Sequence, residues 1–416
     1  MTVSILTPNS SQRLKDLRKS GWDRFESLPW PTQIDEQWRR TDPTPFLLTD
    51  ENQISSSAAS FSVKWEPVAP ELIKTGVILT DLTTAMKQFP ELMDEYLFQT
   101  GAPEQLAKFV ALHQTYWNQG LFCCVPEGVT VDLPLKAGIE ISGRGGVVFP
   151  HILLVAGEGS SVTLIDERTS DETMADPVVS NEMVEIIVKK GATARYIHLQ
   201  RWGSAVAELF TQRAVLEQDA QFLNIHVGLG GKVTKANVET TLTGPGARAD
   251  LLGVFSGRDA QHFDFHTLQD HVAERTTSDL LYKSALKDTS ESIYTGLIRI
   301  EKKAQKSDAY QANRNLLLSK GAKADSVPML EIEANDVRCT HGVAVGPVDE
   351  EQAFYLMSRG IPPAEAEHLI VEGFFLEVLK RLPTEILREQ LMTEIIHNLE
   401  GSDPKGSDPR GSDPNV

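Results

Sequence analysis

"GSSVTLI", residues 159–165, joins a glycine-led turn of small residues to a short run with apolar positions at Val162, Leu164 and Ile165. The turn half recurs as Gly191-Ala-Thr-Ala, Asp219-Ala-Gln-Phe, Gly246-Ala-Arg-Ala and Gly321-Ala-Lys-Ala. The first steps are 32, 28 and 27 residues (159 to 191, 191 to 219, 219 to 246), and the last, 246 to 321, is a longer one of 75. Val129-Thr130-Val131-Asp132-Leu133 has the same alternating texture, and helical periodicity is absent from about Leu121 to Val345. Short strands that alternate in polarity cannot bury an apolar face alone, but stacked copies can. The stretch therefore predicts a mainly β chain built as a β-helix of stacked coils, with a sandwich or barrel as the alternatives for so loose a period.

Outward from this core the pattern becomes helical. Residues 1–118 form an N-terminal helical region: Leu14, Leu17 and Phe25 share a face in Gln12 to Phe25, and Met86, Phe89, Leu92, Met93, Tyr96 and Leu97 recur at helical spacing in Leu82 to Trp117. Ser55 to Ser62 (SSSAASFS) reads as a flexible linker between them. Past the core, residues 119–346, a C-terminal helical region covers 347–400. Asp349-Glu350-Glu351 opens one helix that Arg359-Gly360 closes, Pro362-Pro363 opens a second and Pro383 a third. Gly373 inside the second helix suggests either close approach of another helix or chain or a simple packing reason. Residues 401–416 repeat Gly-Ser-Asp-Pro and read as a disordered tail.

Composition narrows the function. With 41% hydrophobic and 24% charged residues the chain is ordinarily globular, and no run of eighteen apolar residues could span a membrane. The formal net charge of −18 opposes binding to phosphate backbones or anionic membranes, so neither nucleic acid nor membrane is an expected partner. Three cysteines make no disulfide framework, and the N-terminus has no secretory pattern, so a cytoplasmic setting is expected. Glycine clusters fail the nucleotide tests: His226 and Val233 break a phosphate-loop match at Gly231-Lys232, and Val148 and Val233 break two dinucleotide fingerprints. No nucleotide site of the chain's own is legible, and the residues are silent on a flavin.

Two clusters could carry chemistry. His262, Asp264 and His266 would share one face of a strand, with Phe263 and Phe265 on the other and His271 beyond, a ladder that could hold iron or zinc or simply be a polar outer face. Cys123 and Cys124, adjacent, would point to opposite faces. Cys339 and His341, two apart, would lie side by side as half of a metal site, the other half coming from elsewhere in the fold or from another chain. A nucleophile–base pair or no chemical role at all are the other readings of that spacing.

The stretches SLPWPTQIDEQWRRTD (27–42), NRNLLLSKGAKADSVPMLEIEANDVRCTHGVAVGPVDEEQAFYLMSRGI (313–361) and VEGFFLEVL (371–379) together resemble the SufB/SufD family, scaffolds of iron–sulfur cluster assembly, and Cys-x-His-Gly with Phe-Tyr-Leu-x-Ser-Arg-Gly resembles its SufD branch. The resemblance implies a right-handed parallel β-helix between helical ends, pairing with a SufB-type scaffold, and binding of a SufC-type ABC ATPase through the C-terminal helices. It implies a transient iron–sulfur cluster shared with SufB, with His341 as ligand and Cys339 beside it. Phe354, Tyr355, Arg359, Phe374 and Phe375 would then face the ATPase. It implies a scaffold and not an enzyme, and one that could pair with itself when SufB is absent. SufB carries a sulfur-accepting cysteine in the strand before this motif, whereas no cysteine lies between Cys124 and Cys339 here. The alternatives are a SufB-like primary scaffold and a β-helix enzyme acting on polysaccharide.

Overall fold

The computed structural model describes residues 12–48, 58–101, 106–171 and 173–400. Two compact units divide the chain between Pro347 and Val348. The first is a parallel β-solenoid of about eight turns. From Val178–Val188 to Asp308–Leu317, successive strands alternate between two sheets, so that each pairs in parallel with the strand two places before and two places after it. Each strand turns alternate residues inward: Val162, Leu164, Tyr196, Phe222, Leu251 and Leu280 from one sheet meet Val184, Phe210, Val238, Phe263 and Tyr294 from the other, all buried.

The turns explain the sequence rhythm. Along one edge Gly159, Gly191, Asp219, Gly246, Arg275 and Lys306 all have positive φ. Each donates its N–H to the next coil, as in Gly159 to the Lys190 carbonyl (2.9 Å), Gly191 to Gln218 (2.8 Å) and Arg275 to Gln305 (2.9 Å). The steps after 246 are thus 29 and 31 residues (246 to 275, 275 to 306), and the gap of 75 does not exist. It arose because Arg275 and Lys306, which carry no sequence signal for a left-handed turn, occupy positions that glycine usually takes. Gly321 lies on the opposite edge, in the turn after Asp308–Leu317, with Asp259 and Asp288 in the corresponding turns of earlier coils.

Two other expectations change. Residues 58–62 of the supposed linker begin a strand, Ala58–Trp65, paired antiparallel with Leu135–Arg144, and its Ala59, Phe61 and Val63 pack on the lumen core. Residues 55–57 fall outside the described residues. Val129–Leu133 is not a strand: one bridge, Thr130 to Ser161, is its only pairing among the described residues, and the strand starts at Leu135. The 401–416 tail is outside the described residues. Helices at Gln12–Ser27, Leu82–Gln88, Pro90–Tyr96 and Ala107–Tyr116 lie over the outer face of one sheet, where Leu14, Leu82, Met93 and Phe109 join Leu153, Val155, Val179 and Leu209 in a second apolar core. Cys123 belongs to the lumen core and Cys124 to this outer one, on opposite faces as expected.

The lumen is not wholly apolar. Glu208, fully enclosed, accepts from Trp202 Nε1 (2.8 Å) and Thr234 Oγ1 (3.0 Å). Burial, with Glu182 nearby, pushes its carboxyl up to about 7. A carboxyl raised above its unfolded value stabilises the fold fully below that unfolded value, near 4.5, and the contribution is lost as pH rises through 7. Glu208→Gln is therefore expected to flatten the fall in urea midpoint between about pH 5 and pH 8. A fall as steep as in the native chain would remove Glu208 as its source.

The C-terminal unit holds helices Glu350–Ser358, Pro363–Leu379 and Glu385–Glu400. Asp349 caps the first, accepting from the N–H of Glu351 (2.9 Å) and Gln352 (3.2 Å).

Candidate functional site

The two ends of the solenoid are finished differently. At the start, antiparallel strands cover both sheets: Ala58–Trp65 on Leu135–Arg144 and Ile78–Asp81 on Gln119–Val125. At the other end, Lys323–Ile332 closes one sheet and Arg338–Pro347 the other, and no described strand pairs with the far edge of either. Such edges expose unpaired N–H and C=O groups and are templates for another chain. The inward alternation also continues with nothing above it. Leu330 and Ile332 on one strand and Val343 and Val345 on the other are 38–45% exposed, large apolar side chains without a next coil.

Cys339 and His341 both lie on this last strand, on the side that faces the lumen. Register places Cys339 over Ala309, His341 over Gln311, Val343 over Asn313 and Val345 over Asn315. Their surroundings differ. Cys339 is half-buried against the cluster of Ile298, Ile300, Ala304, Ala309 and Ala334. Burial, then the nearby Asp308 carboxylate, pushes its thiol up, away from the thiolate that binds metal. His341 is exposed at the rim.

His262, Asp264 and His266 do share one face, the outer one, of strand His262–His271. That face is neither open nor a vacant ligand set. The segment after Pro31 lies across it: the Thr41 hydroxyl donates to Asp264, and His262 Nε2 meets the same oxygen at 2.9 Å. Lys235 Nζ stands among Asp264 Oδ2 (2.5 Å), His266 Nε2 (3.0 Å) and the Gln37 carbonyl (2.6 Å), an ammonium at the centre where a metal ion would sit. His271 faces the lumen instead, against Thr276 Oγ1 (2.7 Å) and Ser278 Oγ (2.8 Å). Among the described residues no group of three or more His, Cys, Asp or Glu is arranged to hold a metal ion.

On the C-terminal helices, Phe354 and Tyr355 are 69% and 57% exposed, and the Arg359 guanidinium lies 5.1 Å from the Tyr355 ring. Phe375 is fully buried and offers no surface, while Phe374, its T-shaped neighbour, is half-buried. A Cβ at Gly373 would meet nothing within 4 Å among the described residues, so no close approach among them accounts for that glycine. The four exposed aliphatic residues of the last coil and Gln311 beneath His341 were missed. The available signal was the β alternation running to Pro347 with no further coil after it.

No described helix is long and apolar enough to cross a membrane. Residues 139–374 match the family model described as "SUF system FeS cluster assembly, SufBD core domain". The iron–sulfur cluster assembly protein SufD of Bacillus subtilis is 34% identical, over 92% of this chain and 93% of its own length. SufB of the same organism is 32% identical over 82% of this chain and 72% of its own. A SufBD family protein of Staphylococcus saprophyticus is 30% identical over 89% and 80%. The polysaccharide-enzyme alternative has no support in these matches. The chain belongs to the SufB/SufD family of iron–sulfur cluster assembly proteins and is most like its SufD members.

Proposed function

We propose that this chain is a non-catalytic scaffold whose open solenoid end pairs with a SufB-type scaffold and contributes His341 to a nascent iron–sulfur cluster at the join. The observation that carries the reading is the uncapped last coil, which exposes apolar side chains, two free sheet edges and an imidazole together. Burial of Leu330, Ile332, Val343 and Val345 supplies hydrophobic driving force, the edges supply backbone hydrogen bonds, and His341 supplies a nitrogen ligand. The cluster is cargo, and the partner's groups complete its ligand set. With no cysteine between Cys124 and Cys339, the chain lacks a sulfur acceptor in the central coils, which favours the SufD role over that of primary scaffold.

The exposed Phe354 and Tyr355, with Arg359 beside the ring, are the anchors for a SufC-type ATPase, and Phe374 sits at the margin of that surface. Nucleotide-driven closure of two ATPases would pull on these helices and open the scaffold interface for assembly. The setting is the cytoplasm, and the same open end lets two copies pair when SufB is missing.

The test is co-expression with matching SufB and SufC, then light scattering and iron and sulfide analysis. A complex of one SufB, one of this chain and two SufC supports the scaffold role, and a chain that stays apart from both sinks it. His341→Ala is expected to leave the complex assembled but cut cluster content at least about tenfold, since losing even a group that only supports a metal ligand costs on that scale. Cys339→Ala, removing a thiol held protonated, is expected to cost less than twofold. Equal content in both variants and the native complex would overturn the assignment of His341.

A further inference from the structure

Beneath the open end the lumen is lined by amides. Strand Asp308–Leu317 turns Gln311, Asn313 and Asn315 inward, all buried, directly below His341, Val343 and Val345. The two asparagines are spoken for. Asn315 Nδ2 donates to Asn313 Oδ1 (2.6 Å), Asn315 Oδ1 accepts from Ser284 Oγ (2.5 Å), and Asn313 Nδ2 donates to the Tyr282 carbonyl (3.3 Å). Gln311 is half-used. Its Nε2 donates to the Gly296 carbonyl (3.2 Å), which fixes which end of the amide is nitrogen, and its buried Oε1 receives no hydrogen bond among the described residues. Gly296 leaves the room: a Cβ there would run into this oxygen and the Tyr294 hydroxyl.

A buried carbonyl without a donor is a net cost to the fold, so its retention needs a reason. An imidazole that binds metal through one nitrogen carries an N–H on the other, and metal sites almost always give that N–H an acceptor, which fixes the tautomer and raises the basicity of the ligating nitrogen. His341 is the next rung above Gln311 on the same side of the sheet. We propose that Gln311 is the positioning residue of His341: its Oε1 takes the N–H of the inner ring nitrogen and turns the other nitrogen outward to the cluster. The proposal rests on the reading of His341 as ligand and adds the device that orients it. Three other polar atoms lining this part of the lumen lack partners among the described residues. Gln269 Oε1 belongs to the rung of the other sheet that runs through Ile298 to Leu330, so it is not the rung beneath His341. Tyr282 Oη lies two coils down in the rung that ends at Val343. Ser326 Oγ lies on the other sheet, and a hydroxyl that can both give and accept does not select a tautomer.

The experiment uses the complex with SufB and SufC carrying its cluster, and reads the nitrogen hyperfine coupling of the reduced cluster by pulsed electron paramagnetic resonance together with cluster half-life. His341→Ala should abolish the coupling, which establishes the ligand. Gln311→Met should keep the complex assembled but split the coupling into more than one population and shorten the half-life at least tenfold. Gln311→Glu, which keeps an acceptor, should retain a single coupling, and Ser326→Ala should leave the native signal. Should Gln311→Met not assemble, Gln311→Asn, which withdraws the amide by one methylene, carries the same expectation. A native coupling and half-life in the Gln311 variants, with loss in His341→Ala, overturns the positioning role alone. A coupling that survives His341→Ala overturns the ligand assignment and this role with it.

Discussion

Arg168→Met is expected to destabilise the solenoid by about 3–5 kcal/mol at neutral pH, the cost of breaking a buried pair by removing one partner. Arg168 is fully enclosed in the lumen and serves two carboxylates: its Nε donates to Glu182 Oε2 (2.7 Å) and its Nη1 to Asp166. Tyr196 Oη donates to the other Asp166 oxygen (2.5 Å), and Ser180 Oγ to the other Glu182 oxygen (2.8 Å). Burial opposes the guanidinium charge, but Asp166 and Glu182 outweigh it and hold the group protonated, well above its ordinary range. Glu182 is pushed up by burial even with Arg168 against it. Without the cation, burial would raise the Glu182 carboxyl further above its unfolded value. Its protonated form would then hold the fold at low pH, and stability would be lost as pH rises. The deficit of Arg168→Met should accordingly be larger at pH 8 than at pH 5. Arg168→Lys should recover only part, since a point ammonium cannot serve two carboxylates as a planar fork does. The check is the urea midpoint by circular dichroism at both pH values, and a deficit below about 1 kcal/mol at pH 8 would refute the central role of this group.

Lys235→Met should be nearly as costly, about 3–5 kcal/mol, for the same reason and with a distinct local consequence. The Lys235 ammonium and Asp264 are both almost completely enclosed and 2.5 Å apart. Burial pushes the lysine down against the pull of Asp264. Burial works to raise Asp264, yet Lys235 first, then His266, hold it well below the usual carboxylate range. A carboxylate depressed in this way stabilises the fold above about pH 4, and the contribution is lost as pH falls below that. Lys235 also donates to the Gln37 carbonyl and lies 5.4 Å from the Trp38 ring, Thr41 is bonded to Asp264, and Arg40 reaches Asp325 on the last coil (3.2 Å). The segment Gln37 to Asp42 is therefore a strap across the outer face of the last coils, fastened mainly by this pair. Hydrogen exchange should speed up in residues 36–46 of Lys235→Met more than in the C-terminal helices. The double variant Lys235→Met/Asp264→Leu should regain most of the loss, because two matched apolar groups leave no buried charge. A double variant as unstable as the single one would show that packing against Trp38, and not the charge, fastens the strap.

This strap accounts for one of the three stretches that resemble the family. SLPWPTQIDEQWRRTD contains Gln37, Trp38, Arg40 and Thr41, each touching a coil 197 to 285 residues away in sequence (Trp38 to Lys235 is 235 − 38 = 197). The histidine–aspartate ladder that invited a metal is the receiving half of the same fastening.

The sequence alone determined the solenoid and its helical ends. A two-residue alternation interrupted by small-residue turns has few ways to bury its apolar face, and stacking is one that repeats. Helix boundaries after Val348 were equally legible, because Asp349, Pro363 and Pro383 act locally on the backbone. The spacing of Cys339 and His341 put both on one side of a single strand, as the register has them. Tertiary structure decided the rest. That Arg275 and Lys306 take left-handed turns follows from the coils above and below them and not from their own preferences. That the His262 face is sealed by Lys235 and Thr41 depends on contacts between distant segments. That Cys339 is sheltered while His341 stands at an open rim over a vacant amide oxygen depends on where the stack of coils stops. Periodicity fixes which side of a strand a residue takes, but burial, charge and hydrogen-bond vacancy are properties of what lies against that side, and only the assembled coils bring it there.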